Sequence, residues 1–355
     1  MIRFSTTTAI CLLAAASVSG CSVFGGGAGG SAPVIGGGSG GSGGSGGGAS
    51  GGSGGGAASG SGIAIRGIRS TYDKRQSLVA VPGAPTMYEM SLANVSDGNL
   101  VSGPTTVTGN LDIDNPLSNA SGAVATLTDQ SGTDIEGANG GVTGFPLGSA
   151  FNRGTYVAGA SDPNNVGDTI EVVTFDADGD GDADFFGAAV HEGLVNTQVA
   201  QETLGIYYGG EFATAADLAG KPTATYTQAG GALVRIGEGD ALSNSDSATV
   251  RGDVTITANF GSGEVNGTID NLSDIGGSTN ITSITMSNGT INGVHYSGGD
   301  IALLDGNTTV SDFGGNASFE GSFMNGGSVT GGALQGSGTI NGNQGMVSGH
   351  FVAVE

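Results

Sequence analysis

The chain has 355 residues, of which 32 are acidic and 9 are basic, so its net charge at neutral pH is −23. So few basic residues argue against neutralisation of a phosphate backbone, and nucleic acid is therefore not expected as a partner. The two cysteines are Cys11 and Cys21. Because Cys11 lies in the export signal described next, no internal disulfide is expected, and the fold must be held by an apolar core.

The chain begins with the pattern of an export signal. A basic residue, Arg3, precedes an apolar segment at residues 9–18, and small residues follow it in the run Val18-Ser19-Gly20-Cys21. This order predicts a signal peptide over residues 1–20. The four-residue run resembles the lipobox of bacterial lipoproteins, which implies that Cys21 is lipidated and that a membrane is one partner. An ordinary secretory signal cleaved near a free cysteine is the alternative.

Residues 21–62 would follow the lipid as a linker of glycine and serine clusters. Glycine has the most backbone freedom to lose on ordering, and almost nothing in this segment is apolar enough to bury. We therefore predict a disordered tether, whose random-coil span is about 35 Å.

Residues 63–215 carry short β-prone pieces, at 105–112, 123–128 and 169–175, between Gly, Asn, Asp and Ser residues. The pattern predicts an irregular, strand-rich region with long loops. Its best helical candidate is the segment at residues 197–204, which is too short to be more than a connector.

Residues 216–355 have the clearest pattern. From 248 to 260, apolar or small side chains occupy every even position and polar ones every odd position, which predicts a strand with one dry and one wet face. The pairs Asn288-Gly289, Asn325-Gly326 and Asn341-Gly342 suit tight hairpins. Shorter alternations recur at Val265, Gly267 and Ile269, at Ala317, Phe319, Gly321 and Phe323, and at Val347, Gly349, Phe351 and Ala353.

We count eight candidate strands between Thr223 and Val354. An antiparallel meander of this length must cover its edges, and closure into a barrel does so. The predicted fold is all-β: a carboxy-terminal eight-stranded antiparallel up-and-down β-barrel at 216–355, preceded by the irregular strand-rich region at 63–215 and the disordered tether. The alternative places this barrel in the outer membrane with its dry face outward. The absence of Trp, which leaves poor aromatic girdles, and the terminal Glu355 in place of an aromatic residue argue against this alternative.

Three stretches of this part of the chain form a further pattern: Gly220-Lys221-Pro222-Thr223-Ala224-Thr225-Tyr226-Thr227, Ala258-Asn259-Phe260 before Gly267-Thr268-Ile269, and Phe319-Glu320-Gly321-Ser322-Phe323. In these stretches it resembles the barrel domain of transferrin-binding-protein-B-like lipoproteins. The resemblance implies a β-barrel packed against a strand-rich handle, in a lipid-anchored protein displayed at the outer membrane. After Phe323 the chain departs from the family, because Met324-Asn325-Gly326 replace a common Tyr-Gly-Pro. Family partners are bound by variable loops, so no ligand-binding residue carries over.

One stretch carries a metal-binding pattern, with aspartates at Asp176, Asp178, Asp180, Asp182 and Asp184. Calcium takes six to eight oxygen ligands, and a tight loop offers them from alternate positions. Gly187 stands where an EF-hand has its bidentate Glu, so the pattern is closer to the Asp-Gly-Asp loops of extracellular β-proteins. The sequence predicts calcium as cofactor with a dissociation constant of about 10⁻⁴–10⁻³ M; a solvated acidic turn is the alternative.

No enzyme is expected. The histidines His191, His295 and His350 share no ligand spacing, and no nucleophile stands beside a base in the sequence. A glycosidase would need a carboxylate pair, which so acidic a chain offers everywhere, but the absence of Trp leaves a poor platform for sugars.

Two functional hypotheses follow. The resemblance implies a surface-exposed lipoprotein of the cell outer membrane that binds a protein or small-molecule ligand, with iron or heme acquisition as one role. The alternative is a structural or adhesion lipoprotein of the envelope with calcium-stiffened loops and no soluble ligand.

Overall fold

We describe the fold from a computed structural model of the chain. The predicted signal, Cys21, the tether and Asp182 lie outside the described residues. Among the residues described, no helix has the length and hydropathy of a membrane span. The structure describes residues 63–73, 78–80, 88–90, 100–113, 124–129, 134–141, 150–158, 169–180, 183–192, 201–238, 247–276 and 279–355.

The region preceding the predicted barrel is itself a barrel. Eight strands form a closed antiparallel ring in chain order, which β1 completes by pairing with both β4 and β10, while β2 and β3 pair only with each other. The strand-rich region is thus more regular than expected, and we name this ring the first barrel. The strands of this part of the chain, of which all but β2 and β3 belong to the ring, are β1 (Ile63–Asp73), β2 (Leu78–Ala80), β3 (Tyr88–Met90), β4 (Leu100–Ile113), β5 (Val124–Asp129), β6 (Asp134–Gly141), β7 (Asn152–Ala158), β8 (Thr169–Phe175), β9 (Phe185–Glu192) and β10 (Gln201–Gly210).

The helix predicted at residues 197–204 is wrong, because its described part begins β10. Alternate residues Leu204, Ile206 and Tyr208 pack in a cluster outside the ring, whereas Tyr207 packs in a cluster inside it. A strand covered on both faces loses the simple alternation of a half-exposed strand, so its periodicity gives no clear strand signal.

The second barrel confirms the predicted fold class. Its ring follows the chain from β11 to β15, continues through β19, β20 and β21, and closes where β21 pairs with β11. Strands β16, β17 and β18 form an excursion between β15 and β19. The strands are β11 (Thr223–Glu238), β12 (Ser247–Asn259), β13 (Glu264–Gly276), β14 (Ser283–Asn292), β15 (His295–Gly298), β16 (Asp300–Asp305), β17 (Thr308–Thr309), β18 (Ser311–Asp312), β19 (Ala317–Met324), β20 (Val329–Ile340) and β21 (Asn343–Val354).

The predicted dry face of β12 lies inside this ring. Val250 and Ile256 are fully buried there, while Thr257 on the opposite face is exposed. At Gly252 a Cβ would lie 2.5 Å from Ile269 Cγ2, so the strands leave no room for a side chain. The apolar face therefore points inward, and the alternative with that face turned toward lipid is wrong for this barrel.

Two of the three predicted hairpins form. Asn341 and Gly342 have φ of 53° and 80° and join Ile340 to its partner Asn343, as in a type I′ turn. Asn325-Gly326 likewise connects β19 to β20. The prediction for Asn288-Gly289 is wrong: this pair lies inside β14, at a register shift against β13 that marks a β-bulge.

The two barrels share an apolar interface. Strands β20 and β21 are buried over almost their whole length, because one face lines the second barrel and the other contacts the first. The interface cluster combines Ile68, Val173, Phe175, Phe185, Leu204, Ile206 and Tyr208 of the first barrel with Leu233, Met324, Val329, Ala333, Met346 and Val352 of the second.

The first strand, β1, begins and the last strand, β21, ends at the same end of the two barrels. We call this end the junction end. Ile63 begins β1 there, beside the paired ends of β10 and β9. The Asn325 amide donates to Asp184 Oδ1 at 2.8 Å, and the Glu355 N–H donates to the Ser328 carbonyl at 2.8 Å. Hence the exit of the predicted tether, the aspartate loop and the carboxyl terminus lie together.

Candidate functional site

The aspartate loop joins β8 to β9 at the junction end. The Asp184 N–H donates to the Phe175 carbonyl at 2.9 Å, which closes the hairpin. Gly179 has φ of 77°, and its N–H donates to Asp176 Oδ1 at 2.7 Å. The chain therefore turns tightly back on its first carboxylate, as a metal-binding loop requires.

Three of the four predicted ligands that the structure describes come together. Asp176, Asp178 and Asp184 each place a carboxylate oxygen within 4.8 Å of the others. Oxygens at this spacing can share one calcium ion, whose ligands lie at about 2.3–2.6 Å. Asp180 is exposed and stands outside this group.

Asp184 is the half-buried anchor of the group. Its Oδ2 accepts the Ala177 N–H at 2.6 Å, while its Oδ1 accepts the Asn325 amide of the second barrel. Burial raises the pKa of Asp184, the Ala177 N–H lowers it, and the neighbouring carboxylates of Asp178 and Asp176 raise it again. A cation would relieve this repulsion, and each carboxylate oxygen keeps a lone pair to offer it.

A polar group lies within the apolar interface near the junction end. The Arg66 Nε donates to Glu320 Oε1 at 2.9 Å and Nη2 donates to the same oxygen, which pairs β1 with β19. Burial raises the pKa of Glu320, while the Arg66 charge lowers it. Farther along the interface, the Ser70 hydroxyl donates to Gln335 Oε1 at 2.7 Å. These bonds fix how the two barrels meet.

No nucleophile beside a base was predicted from the sequence, yet His295 Nδ1 lies 2.7 Å from Ser322 Oγ. Ser322 is fully buried and also bonds to the Tyr208 hydroxyl at 3.3 Å. Burial, and to a smaller extent the charge of Arg66, lowers the pKa of His295 to about 4. The pair lies at the interface, with Ser322 buried and His295 partly exposed.

The other histidines lie elsewhere. His350 Nε2 lies 2.9 Å from the Tyr207 carbonyl, so this side chain of β21 contacts the backbone of β10 across the interface. Burial lowers the pKa of His350 to about 4. The side chain of His191 lies outside the described residues, as does the predicted lipidation site Cys21.

No family model and no curated protein matches the chain. Among solved structures, a transferrin-binding protein B double mutant from Haemophilus parasuis Hp5 is 11% identical, with 82% of this chain and 76% of that chain covered and a TM-score of 0.36. Intact transferrin-binding protein B, with N and C lobes, is 10% identical over 83% and 77% of the chains, with a TM-score of 0.33.

A third similar structure is a putative outer membrane protein from Bacteroides fragilis NCTC 9343, which is 10% identical over 82% of this chain and 96% of that chain. Its TM-score is 0.23. At these identities and TM-scores, the likenesses assign neither a family nor a function.

Proposed function

We propose that this chain is a lipoprotein of the cell outer membrane, held by an acylated Cys21 and exposed at the surface, that binds a protein or small-molecule ligand. The lipobox resemblance and the glycine-rich tether support the anchor. The resemblance to transferrin-binding-protein-B-like lipoproteins supports display and binding, with iron or heme acquisition as the first role to test.

The position of the tether exit carries this proposal. Ile63 and Glu355 both lie at the junction end, so Glu238 at the end of β11 and the hairpin from β20 to β21 lie at the opposite end. A membrane tether leaving from Ile63 would attach at the junction end and leave the opposite end uncovered by the tether. Exposed polar residues occur there, among them Asp274, Asp305, Asp312 and Asn341.

Iron-limited growth separates binding from a purely structural role. If the chain acquires iron or heme, its abundance should rise under iron limitation, and the protein pulled down from cells should retain heme or an iron-loaded protein. Protease added to intact cells should also remove it. Unchanged abundance with no retained ligand would favour the structural or adhesion alternative.

Replacing Cys21 by alanine should abolish lipid attachment and move the protein out of the membrane fraction. The measurement is incorporation of labelled palmitate, followed by cell fractionation. The matched control is Cys11→Ala, which removes the other cysteine of the amino-terminal segment and should keep both label and fraction. Label retained by Cys21→Ala would contradict the anchor.

Calcium binding by the aspartate loop is the second candidate activity, favoured by the three converging carboxylates. Calorimetric titration should give a dissociation constant of about 10⁻⁴–10⁻³ M. Asp178→Asn should abolish the heat, because it removes one charge from the group while an amide oxygen can still accept the 3.2 Å bond from the Asp180 N–H. Asp312→Asn, an exposed change in the second barrel, is the control. Equal heats in both variants would leave the solvated acidic turn as the explanation.

A further inference from the structure

The hairpin between β14 and β15 contains an Asn-Gly pair that is open to solvent. Asn292 ends β14, His295 begins β15, and Gly293 and Val294 form the two-residue loop between them. Asn292 and Gly293 are both exposed. Gly293 has φ of 66°, and apart from its chain neighbours no atom lies within 4 Å of the position that a Cβ would occupy there. The loop therefore leaves free space around both residues of the pair.

An exposed Asn-Gly pair can react without an enzyme. The glycine nitrogen loses its proton to water or hydroxide and attacks Cγ, the side-chain carbonyl carbon of the asparagine. A new C–N bond closes a succinimide ring, the bond from Cγ to the amide nitrogen breaks, and ammonia leaves. Water then opens the ring at either carbonyl, which yields aspartate or isoaspartate. Glycine favours the attack, because it has no Cβ to shield its nitrogen and has wide backbone freedom.

Neither reacting group of Asn292-Gly293 is held by a hydrogen bond. Among the residues that the structure describes, none bonds to the Asn292 amide or to the Gly293 N–H. The closing bond of such a turn runs to the residue three positions on, here His295, so the N–H of Gly293 is not needed to form the hairpin. Both the electrophile and the nucleophile are thus free to approach each other.

Two other Asn-Gly pairs are restrained inside strands. Asn266-Gly267 lies in β13 and Asn288-Gly289 in β14, and both glycines are buried there. The Asn288 N–H donates to Asn266 Oδ1 at 3.1 Å, and the Asn288 amide donates to Asp300 Oδ2. For Asn288, attack would require the loss of these bonds and of the pairing between strands.

The pairs in the two predicted hairpins that form also have partners. The Asn325 amide donates to Asp184 Oδ1 at 2.8 Å. The Asn341 N–H donates to the Val310 carbonyl at 2.8 Å, and Asn341 has a further interaction partner. Asn292 is therefore the asparagine of these pairs that is best placed to react.

A carboxylate at position 292 would lie beside His295. The two residues are register partners, so their Cβ atoms lie about 4.5–5.5 Å apart on the same face. A negative charge at this distance favours the protonated form of an imidazole. Isoaspartate would also lengthen the backbone next to Val294, whose carbonyl accepts the Phe323 N–H at 2.9 Å. The reaction would therefore change both the charge and the geometry of this hairpin.

We propose that Asn292 is a site of spontaneous deamidation, which places a carboxylate beside His295 as the protein ages. The reaction consumes one water molecule and releases one ammonia. It requires no lipid anchor, no ligand and no calcium, so it stands apart from the functions proposed above.

Incubation of the whole mature chain at mildly alkaline pH tests the proposal. Peptide mass spectrometry locates the product, and isoaspartyl methyltransferase labels isoaspartate. In the folded chain, Asn292 should react at least about tenfold faster than Asn288 or Asn325, whose amide hydrogen bonds must first break. In urea the three should react at similar rates, because the restraints are lost. Equal rates in the folded chain, or no product at Asn292 there, would overturn the proposal.

The effect on His295 is tested with Asn292→Asp, which introduces the product charge without waiting for the reaction. Nuclear magnetic resonance should show a higher titration midpoint for His295 in Asn292→Asp than in the wild type. The matched control is Asn266→Asp, an exposed change on β13 that keeps an oxygen for the Asn288 N–H. It should leave the midpoint unchanged. An unchanged midpoint in Asn292→Asp would overturn the placement of the new carboxylate beside His295.

Discussion

Replacing Arg66 by alanine should lower the free energy of unfolding by about 3 kcal/mol, because it leaves a carboxylate unpaired between the two barrels. Glu320 is 1% exposed, whereas the Arg66 side chain is 25% exposed, so solvent reaches the ion pair only from the Arg66 side. Without the guanidinium, Glu320 must either remain charged in an apolar interface or take up a proton. Urea denaturation at pH 7 measures the loss.

Two further variants distinguish the cost of leaving a buried charge unpaired from the contribution of the ion pair itself. Glu320→Gln should cost less, about 1 kcal/mol, because a neutral amide still accepts from Arg66. The double change Arg66→Met with Glu320→Gln should recover most of the loss, since neither charge is then buried alone. If the double change were as unstable as Arg66→Ala, loss of packing rather than an unpaired charge would be the cause.

The features that the sequence predicted well are local ones. The alternation along β12 depends only on successive side chains of one strand with one face in water, and the structure buries Val250, Ile256 and Ala258 on the predicted face. The hairpin at Asn341-Gly342 is equally local, because two residues with positive φ suffice to define it. Short-range sequence contains the information for both.

The failures concern contacts between distant segments. Asn288-Gly289 has the same turn-forming character as Asn341-Gly342, and Asn288 has φ of 58°, yet its strand continues because β13 pairs across it. The buried outer faces of β20 and β21 likewise depend on the first barrel, whose closure joins β1 to β10. No local pattern reports such a pairing.

The candidate site shows the same division. The spacing of the aspartates predicted a turn that gathers carboxylates, and Asp176, Asp178 and Asp184 do converge. Their link to Asn325, 141 residues away, was not predictable, because it depends on how the barrels pack.

Acidification should weaken the interface of the two barrels, with His350 as the main cause. Burial lowers the pKa of His350 to about 4 in the folded protein, below the ordinary value of 6.5. Below pH 6.5 the unfolded chain therefore binds a proton that the folded chain does not, so stability present above pH 6.5 is lost as the pH falls toward 4. Each pKa unit corresponds to about 1.4 kcal/mol, so the loss between pH 7 and pH 5 should be about 2 kcal/mol.

Two other titratable groups of the interface, His295 and Glu320, also affect how stability depends on pH. His295 shifts in the same direction, but it is partly exposed and contributes less. Burial raises the pKa of Glu320 above its ordinary value of 4.5, so its protonation stabilises the fold as the pH falls toward 4.5 and partly offsets the effect of the histidines there. Urea unfolding at pH 7 and pH 5 tests the window where the histidines dominate. His350→Gln, which cannot be protonated, should lose less free energy of unfolding between pH 7 and pH 5 than the wild type or His295→Gln. An equal loss in His350→Gln would mean that protonation of another group causes the destabilisation.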